Sequence, residues 1–593
     1  MNTLKRNPND PIENLAIGKI IEVDGAHVIA ELDPTIQELS RIYAGETYPI
    51  GQFGSIVKIH FGRRLIYGYV GRLRMKSEYE KEIGLAPVAT ENARVVEADL
   101  FGEAEWILDS SVTPPKWILQ FERGVSTFPL PQQTMYLTPS SELRFIYGHG
   151  KGAILEIGEH VGSAGAPCFA DLNELLGKHT AILGSTGSGK SGTVAAILHA
   201  ILDKSTTSGY SEWHPRIIIL DPHNEYGKAF SDTERDQFST DQETLNLPYW
   251  LLDLQETLSL FVGKTEFAAT SQSNIIKNAL MQSRSDGADK LNIPKKDITV
   301  DSPVPYILGD PSDLDEFGKK NGALYSEGFI GAVNSQRPSN QNKKDHEDYN
   351  KVIRKVETLL KDSRMNFLMK PWTGTGDQFC EVLSQFVGVG KAIRIIDLSG
   401  VPSEVAGAAS AAIARMLFSM KVWQTPEERE KNPLLLVCEE AHRYVPDRGE
   451  AQYVAAQEAI RRIAKEGRKY GLGLMLVSQR PSEVESTVLS QCNSWIVHRI
   501  ANETDRAHVM GILPDSLSGL TKMLSGLRQR EAIFVGLAAT LPSRILIKHL
   551  PREKRPDSHD IDFDKGWQTV PLDDDTIKLI GKRWRYQDKT LQK

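Results

Sequence analysis

An α/β fold is what this chain predicts from about residue 170 onward, with a small β-barrel in front of it. Three observations carry that expectation. Short apolar runs alternate with helical segments along the larger, second part of the chain. One of those runs passes through a glycine-rich loop straight into a helix. The first ~150 residues read instead as short strands separated by turn signals. At 593 residues the chain exceeds one ordinary domain, and about two to four are expected.

Residues 1–158 are the β-rich part. Ile17–Val23 and His27–Leu32 flank Asp24-Gly25, and a D-G dipeptide between such runs signals a hairpin. Ser55–His60 and Leu65–Val70 add further strands, and short strands with regular turns suggest a barrel. No catalytic constellation falls here, so the segment reads as a structural or docking module.

The α/β core follows in two parts, 159–230 and 389–550. Its candidate strands are Thr180–Leu183, Arg216–Leu220, Ala392–Asp397, Leu434–Cys438, Leu472–Val477, Ser494–His498 and Ala532–Val535. They are short and apolar, as expected of parallel strands covered on both faces. Residues 231–388 read as a helical insertion, with helices over Leu251–Phe261, Thr270–Ser283 and Tyr349–Lys361. The polar stretch 334–344 is expected to be a flexible loop. Residues 551–593 form a polar tail. Its cluster Lys582-Arg583-Trp584-Arg585-Tyr586 fits a plain surface helix better than a contact with nucleic acid or a neighbouring subunit.

Composition narrows the function classes. Hydrophobic residues make up 40% and charged residues 25%, the balance of a globular protein. No apolar run approaches the ~18–20 residues that span a bilayer, and Met1–Pro8 has no apolar core of a secretory signal. The expectation is a cytoplasmic protein without a membrane partner. The four cysteines, Cys168, Cys380, Cys438 and Cys492, form no C-x-x-C pair, which disfavours a zinc site or disulfide framework. A net charge of −7 argues against a surface coated in basic residues, but not against a local basic channel.

The chemistry begins at Gly184-Ser185-Thr186-Gly187-Ser188-Gly189-Lys190-Ser191-Gly192. This is G-x-x-x-x-G-K-[ST] between a strand and a helix, the context of a phosphate-binding loop. Glycines let backbone N–H groups turn inward around an anion. The helix N-terminus adds free donors. Lys190 supplies a charge for the β- and γ-phosphates and Ser191 a hydroxyl for Mg2+, so ATP and Mg2+ are the implied cofactors. A plain glycine-rich turn with a surface lysine is the bland alternative, and both spacing and flanks count against it.

Three further strand ends carry polar residues. Leu434–Cys438 runs into Glu439-Glu440. Glu439 is assigned to the Mg2+ side and Glu440 to the attacking water. Acids merely emerging into solvent are the competing reading. Leu472–Val477 runs into Ser478-Gln479, where Gln479 would sense the γ-phosphate or orient the water. Ile218–Leu220 runs into Asp221-Pro222-His223-Asn224-Glu225-Tyr226. There a functional role for Asp221 and a turn role stand level. Past the acid strand, Arg461, Lys465 and Arg468 recur at helical spacing on one face. Taken alone, that stripe is a solvated basic face.

Together these motifs resemble the HerA branch of the FtsK–HerA superfamily of ring-forming motor ATPases. The resemblance rests on His179–Gly184 leading into the loop, Asp221–Tyr226, Leu247-Pro248-Tyr249-Trp250, Glu439–Pro446, Ile463–Gly471 and Ser478-Gln479-Arg480-Pro481, in order over about 170–550. It implies a RecA-like P-loop core, a barrel of the family's HAS type, and a hexameric ring that moves double-stranded DNA through its pore. It implies ATP bound between subunits, with an arginine acting in trans; Arg468 is the first candidate and Arg461 the second. It also implies a partner docked on the barrel, either a NurA-type nuclease in end resection or a Sir2-like or nuclease effector in bacterial defence. The long polar insertion leans the reading toward defence.

Two positions depart from the family pattern. Glu439 stands where many P-loop ATPases have aspartate, and Arg530 stands where a glycine is expected before Glu531-Ala532. The alternative function is an oligomeric ATPase scaffold that regulates an effector without processive movement on DNA. A metabolic P-loop kinase is disfavoured by the N-terminal barrel.

Overall fold

The computed structural model describes residues 8–591 except 53, 87–92, 112–113, 149–152, 162–165, 205–211, 263–268, 448–453, 514–520, 522, 558–562 and 587–590. The strands, in chain order, begin with β1 (Ala16–Asp24), β2 (His27–Leu32), β3 (Ser40–Tyr43), β4 (Glu46–Pro49), β5 (Ile56–Phe61), β6 (Arg64–Met75), β7 (Arg94–Asp109), β8 (Lys116–Arg123) and β9 (Thr134–Leu137). Next come β10 (Ile154–His160), β11 (Pro167–Asp171), β12 (Thr180–Leu183), β13 (Ile217–Asp221), β14 (Arg235–Ser239), β15 (Lys319–Lys320) and β16 (Ala323–Leu324). The last are β17 (Ile393–Asp397), β18 (Leu434–Cys438), β19 (Leu472–Ser478), β20 (Ser494–His498), β21 (Glu531–Gly536) and β22 (Ser543–Ile547).

The chain forms two compact units. The first comprises Met1–Leu175, Ile182–Ala200 and Asn493–His549, and the second Leu176–Ala181, Ile201–Cys492 and Leu550–Lys593.

In the first unit, a sheet ordered β2-β1-β9-β5-β6-β7-β8 closes through an added β2–β7 pairing into a six-stranded barrel. Closure removes the exposed edges an open sheet would leave. Alternating residues point inward: Ile17, Val28, Ala30, Val57, Ile59, Ile66, Val96, Ala98 and Met135 make the core. A buried ion pair, Lys58 Nζ to Glu142 at 2.6 Å, pins the helix Ser140–Gly148 to the barrel wall. Glu142 also accepts from the Tyr67 hydroxyl.

The same unit holds a further run of neighbouring strands, β11-β10-β22-β21-β20, paired antiparallel throughout. Two expectations need correction here. Strand β10 crosses the boundary drawn at residue 158. Ser494–His498 and Ala532–Val535, read above as parallel strands, pair antiparallel. For β21 and β22 the reason is the short connection 537–542, since a parallel crossover needs a dozen or more residues.

In the second unit β19-β18-β13-β17-β14 form a parallel sheet. Every residue of β13, β17, β18 and β19 is buried. Strand β14 corrects the reading of 231–388 as purely helical. Its sequence, Arg-Asp-Gln-Phe-Ser, carries no apolar pattern because it lies half-buried on the sheet's edge. The helices Leu254–Phe261, Ala269–Lys290 and Glu347–Lys361 form as expected. The stretch 334–344 is a hydrogen-bonded turn in which Arg337 binds Asn334 Oδ1 at 2.7 Å and Asn350 Oδ1 at 2.8 Å.

One helix, Val405–Trp423, is long and apolar enough by length and composition to cross a membrane, a feature the sequence reading passed over. Within the fold 72% of it is buried, so it packs as a core helix.

Candidate nucleotide site

Strand β12 is wholly buried and delivers the chain into the glycine-rich loop. A Cβ on Gly184 would stand 2.6 Å from the His498 Cβ, so only glycine fits. Gly189 has φ +110, a left-handed conformation that side chains resist, and it opens directly into the helix Lys190–Leu202. The turn closes through the Ser188 N–H donating to the Ser185 carbonyl at 3.2 Å. Lys190, 8% exposed, donates from Nζ to the same carbonyl at 3.2 Å.

The loop is wired to the segment 498–531 of its own unit. The Ser185 N–H donates to the Arg499 carbonyl at 2.9 Å, and the Ser185 hydroxyl accepts the Ala501 N–H at 3.1 Å. The Arg530 N–H donates to the Ser188 carbonyl at 3.1 Å. Thr193 reaches Gly189's carbonyl with both its N–H and its hydroxyl at 2.9 Å, and the hydroxyl lies 2.8 Å from His498 Nε2. Burial lowers the His498 pKa to about 4, so the ring is neutral. It donates from Nδ1 to the Glu531 carbonyl at 3.0 Å, which leaves Nε2 as an acceptor competing with the Gly189 carbonyl for the single hydroxyl proton of Thr193. Thr186 and Gly187 stay exposed, leaving the loop's outer face open to a ligand.

This donor set fits a nucleoside phosphate: a glycine-rich loop at a helix N-terminus, a buried lysine, and the Ser191 hydroxyl in that helix's first turn.

In the second unit three adjacent parallel strands, β13, β18 and β19, end on one edge, the side on which open α/β sheets bind ligands. Asp221 ends β13 and accepts the N–H groups of Tyr226 at 2.9 Å and His223 at 3.2 Å. Its carboxylate therefore closes the 221–226 turn. Burial raises its pKa to about 6, and Asp397 on β17 adds to the rise. Glu439 follows β18, is 3% exposed, and donates its N–H to the Leu220 carbonyl at 3.2 Å.

Glu440 comes next at φ 53°, ψ 52°, a left-handed conformation that costs a non-glycine residue about 1–3 kcal/mol. Its Oε2 lies 3.2 Å from His442 Nδ1, which in turn lies 3.4 Å from the Ser478 hydroxyl at the end of β19. Gln479 follows, half-buried. Among the described residues no group of three or more His, Cys, Asp and Glu is arranged to hold a metal. Mg2+ needs none, since it binds through one or two protein ligands together with phosphate oxygens and water. Glu439 supplies a carboxylate of that kind in this unit.

The basic stripe ends early. The helix Val454–Glu466 stops before Arg468, which lies in the 3-10 turn Gly467–Tyr470. Arg461 donates from Nε to both oxygens of Glu485 at 2.7 Å. Arg468 is exposed and forms no salt bridge among the described residues. His498 and Glu531 were missed by the sequence reading. The available signal was a histidine closing an otherwise apolar strand.

Buried neutral histidines make a pH dependence. Burial lowers His498, His60 and His179 to about 4 and His160 to about 3, against an unfolded value of 6.5. Below pH 6.5 the unfolded chain binds more protons. Stability is therefore full above pH 6.5 and is lost as pH falls toward 4. The raised Asp221 and Glu256 act in the opposite sense. Thermal melts from pH 7 to 4.5 are expected to show a steadily falling midpoint, shallower in His498→Gln; a flat profile would contradict the buried neutral rings.

The family model described as "Helicase HerA, central domain" matches residues 155–417. A probable helicase of Methanocaldococcus jannaschii is 24% identical over 452 residues, covering 76% of this chain and 77% of that protein. The same organism's probable DNA double-strand break repair helicase HerA is 26% identical over 455 residues, covering 70% of this chain and 80% of its own. Among solved structures, VirB4 of Thermoanaerobacter pseudethanolicus aligns at 17% identity with a TM-score of 0.44, covering 68% of this chain and 98% of that one.

Proposed function

We propose that the chain is a HerA-like P-loop ATPase using ATP and Mg2+, which forms a ring and translocates double-stranded DNA. The observation that carries this reading is the central-domain match over 155–417, which takes in the whole phosphate loop. Relatives covering most of this chain carry the name of DNA break-repair helicases.

In this reading Lys190 draws the β- and γ-phosphates toward the loop. Ser191 and Glu439 hold the metal, Glu440 polarises the attacking water and Gln479 orients it. Held by those residues, Mg2+ would supply positive charge against the charge developing on the phosphates. Arg468 of an adjoining copy brings the trans charge, since it is exposed and carries no salt bridge among the described residues. Arg461 is the second candidate, and its bond to Glu485 would have to open first. The ring is a cytoplasmic hexamer, and the barrel docks a nuclease or Sir2-like effector in antiviral defence.

The net charge of −7 favours a second reading, an oligomeric ATPase scaffold that controls its effector without moving along DNA.

ATP hydrolysis with and without linear duplex DNA, with mass measured on the same sample, tests the two. A ring whose turnover rises with DNA is expected. A ring indifferent to DNA would overturn the motor reading in favour of the scaffold.

A further inference from the structure

We infer that Arg530 is a second cationic ligand of the nucleotide, contacting the α- and β-phosphates from the Gly189 side of the loop. This rests on the P-loop assignment and not on any role for DNA.

Arg530 is 340 residues beyond Lys190 in sequence, yet it abuts the loop within the first unit. Its N–H donates to the Ser188 carbonyl at 3.1 Å, and its own carbonyl accepts the Ile547 N–H at 3.0 Å. Its Cα and Cγ would stand 3.4 and 3.8 Å from a Cβ built on Gly189. The residue is thus clamped between the loop and β22, with the base of its side chain beside Gly189.

The backbone there is unusual. Arg530 has φ +67, a left-handed conformation that glycine adopts freely and arginine does not. A chain with no use for the side chain would be more stable with glycine at this position.

The surrounding charges sharpen the point. Glu531, 2% exposed, takes Arg528 Nε at 2.9 Å on one oxygen and Arg544 Nη2 at 2.7 Å on the other. Both neighbouring arginines are thereby neutralised. The Arg530 Nη1 is buried and has no hydrogen-bond partner among the described residues. A buried guanidinium N–H beside a phosphate cradle lacks an anion, and a nucleotide's phosphates supply one. The loop amides cradle the α- and β-phosphates, so the contact is common to ADP and ATP.

The test is equilibrium binding of fluorescent ADP and of a non-hydrolysable ATP analogue to the full chain, without DNA, with inorganic tripolyphosphate as competitor. Arg530→Gly is expected to weaken both nucleotides and tripolyphosphate alike, by roughly tenfold, while its nucleotide-free melting temperature stays equal or rises. Arg530→Asn, which tolerates the left-handed backbone, is expected to weaken them equally, and Arg530→Lys to retain part of the affinity. Affinities within twofold of the parent in the Gly and Asn variants would overturn the assignment. So would weakening of the ATP analogue alone. Absent DNA stimulation in the parent would count against the motor reading and leave this inference standing.

Discussion

Lys190→Ala is expected to lower ATP turnover by about 100- to 1,000-fold, the range seen when one preorganised donor is removed from a developing charge. The structure explains why no neighbour substitutes. Lys190 is the first residue of its helix and 8% exposed, with its ammonium turned back across the loop to the Ser185 carbonyl. Ser185 is itself fixed by Arg499 and Ala501, so the ammonium waits at a defined place over the cradle. Alanine keeps the helix, being its best former, and leaves the loop's backbone bonds intact. The variant is therefore expected to fold and to bind nucleotide more weakly, not to unfold. Turnover within tenfold of the parent, measured on a sample with the parent's melting temperature, would remove Lys190 from the phosphate site.

How much of this was legible in the sequence follows from the range of each interaction. The phosphate loop was, because its chemistry is packed into nine consecutive residues between a strand and a helix. The acids at 439 and 440 were legible for the same reason: an apolar run ending abruptly in two carboxylates. The barrel was legible from its short strands and turn signals, but not the pair of strands that closes it, since the β2–β7 pairing joins segments about seventy residues apart. Strand β14 was hidden because an edge strand with half-exposed residues has no apolar signature. Strand direction was hidden too, because an apolar run looks the same in a parallel and an antiparallel sheet. Asp221 shows what a motif leaves open. Its carboxylate closes a turn, and that bond is compatible with a ligand only on its remaining lone pairs. The wiring of His498 and Arg530 to the loop spans more than 300 residues of sequence. No local pattern could have announced it, although the unexpected arginine before Glu531 was a local irregularity at the right place.

Glu440→Gln is expected to keep ATP binding and reduce hydrolysis by about 1,000-fold, within the range for loss of a general base. The substitution keeps the size of the side chain and leaves the backbone at 440 as it is, so a change in rate reports on the carboxylate. Loss of binding instead would move Glu440 to the metal. The left-handed backbone at 440 allows a sharper experiment. Glu440→Gly relieves the strain and should raise unfolding stability by about 1 kcal/mol while abolishing hydrolysis. A variant both more stable and inactive would show that the fold tolerates a disfavoured conformation in order to aim this carboxylate. Stability lost together with activity would mean that the His442 contact at 3.2 Å outweighs the strain, and that Glu440 is as much structural as catalytic. The same chain answers the question of the trans arginine. Arg468→Ala alone is expected to bind nucleotide normally and hydrolyse it slowly. Mixed with Glu440→Gln it should regain part of the parent's turnover, because an interface between the two variants can unite an intact Glu440 with an intact Arg468. Absence of any recovery in mixed rings would place Arg468 in the service of its own subunit.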